Sequence, residues 1–267
     1  MGGKYRRAYA IGMQNALEYR MDFFLNMVSA FFPIFIQVFM WTAIYQKTGQ
    51  GAVFGYTFSQ MIVYTVLASL LNRLLRTGFE YEISEDIKTG GLNKFIIRPI
   101  AHFPYRLAVF LGQKTIHTAL ISVVLCGVVF ASVKVTGLPI GPMQVLAFLP
   151  AFVLAFVLNF VLFYLVSAIA FWLTEIGFFY EAVRIVFIAL SGGIFPIDVL
   201  GEDAARVLRL LPFQYTINFP VDVLNGRIAG ADAVRGLLVQ ILWILLMSGL
   251  TAWVWKVGSR KYVAVGG

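Results

Sequence analysis

Charge is scarce in this sequence: Asp, Glu, Lys and Arg make up 13% of its 267 residues, about half the share found in soluble domains. So few charges cannot dress a water-facing surface, and a hydrophobic fraction of 60% with a mean hydropathy of +0.83 points to the bilayer. Cysteine is limited to Cys126, which excludes a disulfide framework or a cysteine metal site within the chain. Histidine is limited to His102 and His117, and neither H-E-x-x-H nor G-x-S-x-G occurs. Zinc-protease and hydrolase chemistry therefore have no residues to stand on, and neither a catalytic residue nor a metal ligand is expected. No glycine-rich loop ending in G-K-S or G-K-T is present, so nucleotide phosphates cannot be cradled in that manner. Carboxylates are missing from the middle of every apolar run, which argues against a carrier coupled to protons or sodium.

What is abundant is uncharged apolar sequence. Runs extend from Phe23 to Tyr45, Phe54 to Leu71, Thr115 to Val133, within Val145 to Leu173, and from Gly236 to Trp255, each near the length that crosses hydrocarbon as a helix. A sixth, Ile176 to Ile197, is apolar except for Glu181 and Arg184, which are spaced to pair at i, i+3 near a headgroup boundary. The runs lack the alternation of a membrane barrel, so the backbone must be satisfied within helices. The first run has no small-residue cleavage site after it and reads as a retained span. The expected fold is an all-α membrane protein of six spans forming one transmembrane domain over residues 1–267.

Positive residues stay on the cytoplasmic side of spans. Lys4, Arg6, Arg7 and Arg20 precede span one; Arg73, Arg76, Lys88, Lys94, Arg98 and Arg106 lie between spans two and three; Lys256, Arg260 and Lys261 follow span six. The opposite loops carry only Lys47, only Lys134, and a last segment whose four arginines are offset by five acids. Both ends are thus expected in the cytoplasm. The formal net charge of +8 reads as topological bias and attraction to anionic lipid, not as a nucleic-acid footprint.

Three segments are not spans. Residues 4–20 place Tyr5, Ala8, Tyr9, Gly12, Met13, Ala16 and Leu17 on one helical face and charged or amide side chains on the other, the pattern of an interfacial helix. Residues 194–234 hold apolar pieces of about ten residues cut by Pro196, Pro212 and Pro220, too short to cross; Ser191, Gly192 and Gly193 would end the fifth span just before them. Between spans two and three, residues 76–106, Phe79, Ile83 and Ile87 make one apolar stripe while Glu80, Glu82, Glu85, Asp86 and Lys88 occupy the rest of a short helix. Its acids sit toward the front and Lys88 at the back, suiting the helix dipole, and Gly90 and Gly91 supply the stop. The stripe has two uses, either to lie on the protein's own surface or to enter a groove of a partner; on the second, aspartate at Ile83 or Ile87 would strip the partner while leaving insertion intact.

The stretches "EISEDIKTGGLNKFIIRPI", "LSGGIFPIDVL", "LPFQYTINFPVDVLNGRI" and "WKVGSRKYVAVGG", taken in that order, resemble the ABC-2 type permeases of bacterial ATP-driven exporters, in particular a branch in which two permeases are often paired. The resemblance implies that Glu80 to Gly91 is a coupling helix docking on a separate ATP-binding subunit, with Leu92 to Pro99, including Arg98, returning to the membrane. It implies an outer gate of short re-entrant helices from Pro196 to Pro220, with Gly192, Gly193, Pro212 and Phe213 among its residues. Two ATP-binding subunits carrying ATP and Mg2+, a second permease of the same or related sequence, and membrane lipid are the implied partners, with no cofactor on this chain. The implied location is the bacterial cytoplasmic membrane.

Glu181 and Arg184 have two readings, a gating pair at the inner mouth or a snorkelling pair that orients its helix. Asn26, Gln37, Asn72 and Asn159, being lone amides in or beside spans, are expected to bond neighbouring helices. Two rival functions remain, a membrane-embedded enzyme acting on lipid-linked substrates and a non-transporting sensor or scaffold with a permease fold.

Overall fold

The computed structural model describes residues 2–18, 29, 31–49, 51–97, 100–136, 140–173 and 176–262. Helices dominate, in chain order α1 (Gly2–Glu18), α2 (Phe31–Thr48), α3 (Phe58–Leu75), α4 (Phe79–Lys88), α5 (Asn93–Ile97) and α6 (His102–Thr136). Then come α7 (Pro142–Ser167), which tightens into a 3-10 turn at Ala168–Phe171, α8 (Gly177–Leu190), α9 (Glu202–Arg209), α10 (Asn218–Leu224) and α11 (Gly230–Ser259). A two-rung hairpin, β1 (Ala52–Val53) paired antiparallel with β2 (Tyr56–Thr57), joins α2 to α3.

Among the described residues, four helical stretches are long and apolar enough to cross a membrane: Phe58–Lys88, His102–Lys134, Pro142–Phe171 and Gly230–Ser259. Of the first expected span, Phe23 to Tyr45, residues 23–28 and 30 lie outside the described residues, and residues 31–45 fall in α2. The second begins at Phe58 rather than Phe54, because the Phe54–Gly55 turn takes positive φ at both residues and Thr57 caps α3 through a reciprocal exchange with Gln60. The fifth is shorter than the sequence suggests. Residues Gly177–Leu190 give 14 helical residues, about 21 Å of rise, and the helix stops where Gly192 turns with φ +82. A Cβ at Gly192 would come within 2.5 Å of the Tyr64 hydroxyl, so both the backbone angle and the packing demand glycine there.

At 35 residues α6 is about 52 Å long, well beyond the hydrocarbon thickness. The sequence placed its span at Thr115–Val133; the helix in fact runs unbroken from His102, and its extra turns form the dock for α1. The contact is unusually close, since a Cβ at Gly12 would lie 2.1 Å from the Val109 carbonyl oxygen and one at Gly112 2.1 Å from that of Tyr9. Ala8 is buried in the crossing, and the Tyr9 and Thr115 hydroxyls meet at 2.8 Å. Ala8, Tyr9 and Gly12 of the apolar stripe therefore face α6. Because the obstacle is backbone, it cannot rotate away as a side chain would, so Gly12→Val or Gly112→Val is expected to cost at least the roughly 1–3 kcal/mol of ordinary overpacking. Amide hydrogen exchange should quicken across residues 2–18 in either variant; unchanged protection there would refute the crossing.

The core lies where α3, α7, α10 and α11 converge, with Tyr64, Leu67, Leu71, Leu158 and Phe160 all shielded from solvent. Phe31, Phe32, Phe35 and Phe39 instead leave α2 exposed on one side, a lipid-facing surface for a chain of this composition.

Candidate functional site

Two polar clusters occupy opposite ends of α3. At its C-terminal end Arg76, Thr77 and Gly78 break the helix and α4 folds back under the bundle. The packing residues of this arm are Phe79, Ile83 and Ile87, all buried, with the Phe79 ring 5.3 Å from Phe110 and 4.8 Å from Phe160. The stripe thus lies on the protein's own bundle, which closes the partner-groove alternative for Ile83 and Ile87. Gly90, with φ +80, ends the arm, and the absent side chain of Gly91 leaves room for Asp86, whose carboxylate oxygen a Cβ there would meet at 2.5 Å. Leu92 is buried in the return; Arg98 and Pro99 lie outside the described residues.

The acids of the arm divide. Glu80, expected on the solvated face, is fully buried and accepts from Arg184 Nη2 at 2.6 Å. Arg184 Nη1 also reaches Glu181 at 3.1 Å, and the Tyr81 hydroxyl donates to the same Glu181 oxygen at 2.6 Å. The i, i+3 pair read from the sequence is present, but its principal partner is a third residue a hundred positions away. On the next face Glu82 and Asp86, one helical turn apart, both bind the Arg106 guanidinium, and Lys94 Nζ closes on Asp86 at 2.8 Å. Charge therefore ties α4 to α6 and to α8. Glu85 and Lys88 are exposed and make no ion pair with the bundle among the described residues, while Tyr81 and Glu82 are exposed beside their partners.

Beneath the arm's return, His102 Nδ1 lies 2.7 Å from the Tyr164 hydroxyl, and its ring sits 4.9 Å from Trp255 and 4.6 Å from Phe95. Asn159 donates to the Leu75 carbonyl at 2.6 Å, the interhelical bond expected of a lone amide.

The hairpin end is built from residues far apart in sequence. Asp222, on the wholly buried α10, accepts from Tyr56 Oη at 2.9 Å and from Asn218 Nδ2 at 2.8 Å. The Arg227 guanidinium stacks 3.6 Å from the Tyr56 ring centroid and reaches Asp198 at 3.2 Å and Asp222 at 3.8 Å. Arg209 also binds Asp198, while Tyr64 Oη lies 2.8 Å from the Gly192 carbonyl and 2.9 Å from Asn218 Oδ1. The residues the sequence grouped as a gate collect around this network. Gly193 abuts Ile188 and Ile217, Pro196 and Pro212 each precede a 3-10 turn, the Phe213 ring is 5.6 Å from Phe187, and Pro220 is buried in α10.

Burial pushes the Asp222 carboxyl up to about 7, against the opposing pull of Arg227 and the hydrogen bond from Tyr56. A carboxyl held above its unfolded value near 3.9 binds more protons folded than unfolded, so its contribution to stability is full below about pH 4 and is lost as pH rises through 7. Asp222→Asn is expected to flatten that part of the stability profile and to raise the melting temperature at pH 8 by roughly 2–4 °C or more. A profile identical to that of the parent protein would rule this out.

Sequence reasoning missed Gln240, which is fully buried on α11 and donates to the carbonyls of Ala151 at 3.0 Å and Tyr215 at 2.8 Å. An uncharged amide inside an otherwise apolar run was the available signal. Gly236, one turn earlier, sits against Phe219, whose ring a Cβ would meet at 2.0 Å. Among the described residues no three His, Cys, Asp or Glu side chains converge as metal ligands.

Long apolar helices, a charged arm folded under one end and a polar lock at the other define a multi-pass α-helical membrane protein. The chain belongs to the ABC-2 family of transporter proteins, whose family model matches residues 31–266, and is thus of the kind that forms a transporter's membrane subunit. The match begins after α1. No curated protein matches the chain.

Proposed function

We propose that this chain is the membrane-spanning subunit of an ATP-driven exporter, with six spans, both ends in the cytoplasm of a bacterium, and α4 as the coupling helix. On this reading α4 docks on one of two separate ATP-binding subunits, which hold ATP and Mg2+, and a second permease of the same or related sequence completes the path. The observation that carries the proposal is the division of α4. Glu80, Glu82 and Asp86 fix it to α6 and α8 through Arg106 and Arg184, while Glu85 and Lys88 stay open on the other side. Force applied to the open face would be delivered through charges to two helices. The hairpin-end cluster around Asp222, with Gly192, Gly193, Pro196, Pro212, Phe213 and Pro220, would act as the outer gate.

The test is co-purification with the ATP-binding subunits. Glu85→Arg combined with Lys88→Glu alters exposed charge and should reduce recovery about tenfold or more, since several interfacial charge contacts reverse sign, while thermal stability is unchanged. Undiminished recovery would remove α4 as the docking element. In a Cys126→Ser background, cysteines at Lys47 or Lys134 should react with an impermeant maleimide added outside intact cells, and one at Lys94 only after permeabilisation. The reverse pattern would invert the topology.

A further inference from the structure

A cavity of about 370 Å3 opens between α2, α3, α7 and α8, within the range of small-molecule sites. Its chemistry changes along its length. At the arm end it is lined by Arg73, Arg76, Arg184 and Glu181, with the amides of Asn72 and Gln37 beside them. Toward the hairpin end the lining becomes Ile188, Ile194 and Ile217. Arg73 and Tyr64, the latter in contact with Gly192 just past α8, are nine residues apart on α3, so the polar-to-apolar gradient runs over about 14 Å.

The polar end is not a closed ion-pair system. Arg184 is balanced by Glu80 and Glu181, whereas Arg76 forms no ion pair among the described residues. Three buried atoms of lining residues lack a hydrogen-bond partner within the described residues: Arg184 Nε, Thr77 Oγ1 and Gln37 Oε1. Two of these are donors, and buried donors left unmet are costly unless something accepts from them. An anionic head carries the acceptor oxygens that these donors and the Arg76 guanidinium, all on the cavity lining, are suited to bind. Ile185 lines the cavity and is also 65% exposed, and α2 and α8 pack little against each other. The cavity is therefore open on the side where α2 and α8 part, beside the exposed apolar Ile185.

We propose that this cavity binds an amphiphile with an anionic phosphate- or carboxylate-type head and a single apolar chain, its head on Arg76 and Thr77 and its chain along Ile188, Ile194 and Ile217. That the ligand is cargo, and not a resident lipid, rests on the exporter reading above; the site itself does not.

The experiment uses the full chain without ATP-binding subunits, in nanodiscs of phosphatidylcholine, with two photoreactive single-chain probes that differ only in a phosphate or phosphocholine head. The phosphate probe is expected to label α8 around Ile185 and Ile188 with about tenfold higher affinity than the zwitterionic one, the scale of one or two charge-assisted contacts. Arg76→Gln should remove that preference, and Ile188→Trp should block labelling by filling the cavity with Arg76 intact. Arg206→Gln, on exposed α9, should change nothing. Equal labelling by both probes, or labelling indifferent to Arg76→Gln and Ile188→Trp, would overturn the proposal. So would full displacement of the probe by millimolar inorganic phosphate, which would mark a free-anion site. Because no motor subunit is present, failure here leaves the exporter reading standing, whereas loss of that reading would come from the co-purification test.

Discussion

Replacing Arg184 with alanine is expected to destabilise the protein by about 3–5 kcal/mol, because it leaves the buried Glu80 carboxylate without its ion-pair partner. Glu80 is fully buried, and its second oxygen already lacks a partner among the described residues, so Arg184 is what makes the site tolerable for a charge. For a chain of this size the loss corresponds to roughly 10 °C in apparent melting temperature. The double variant Glu80→Gln, Arg184→Gln removes both charges and should recover most of the difference, since a neutral amide pair is far cheaper to bury than a lone carboxylate. If Arg184→Ala melts within a degree or two of the parent protein, the arm is not anchored through this pair.

Ile83→Asp is the second large effect. Ile83 is fully shielded between α4 and the bundle. Truncating such a side chain costs about 2–5 kcal/mol by itself, and placing an unpaired carboxylate there adds the penalty of burying a charge. The variant should fail to accumulate as folded protein, and a cell-fraction blot or size-exclusion profile in mild detergent will show it. This differs from the sequence expectation, in which aspartate at Ile83 or Ile87 detaches a partner from an intact permease. Selective detachment is instead expected from Glu85 and Lys88, and a well-folded Ile83→Asp protein would argue that the arm's inner face is not packed as described.

Much of the arm was legible beforehand. Phe79, Ile83 and Ile87 recur at helical spacing, and Gly90 and Gly91 carry an unambiguous stop, so both the helix and its end could be read locally; the observed element is Phe79–Lys88. The stripe of α1 and the end of α8 at the Ser191–Gly193 turn were legible for the same reason. Periodicity does not say what a face meets. Glu80 looked solvated because its partner lies 104 residues away, and Arg106 counted only as a topological positive charge although Glu82 and Asp86 stand 24 and 20 residues before it. The hairpin-end cluster was the least legible part. Tyr56 and Asp222 are separated by 166 residues, and neither belongs to a motif whose spacing implies the other. Asp222 entered the sequence reading only as one of five acids offsetting loop arginines, whereas its burial follows from three-dimensional packing of α10.

The length of α6 has a mechanical consequence. Arg106, which takes the arm's charge, and Gly112, against which the N-terminal helix rests backbone to backbone, stand on a single uninterrupted rod less than two turns apart. The helix between them is unbroken, so under the proposed coupling a displacement at Arg106 would be shared with the N-terminal helix. The amphipathic segment is therefore held on the same stretch of helix that anchors the arm.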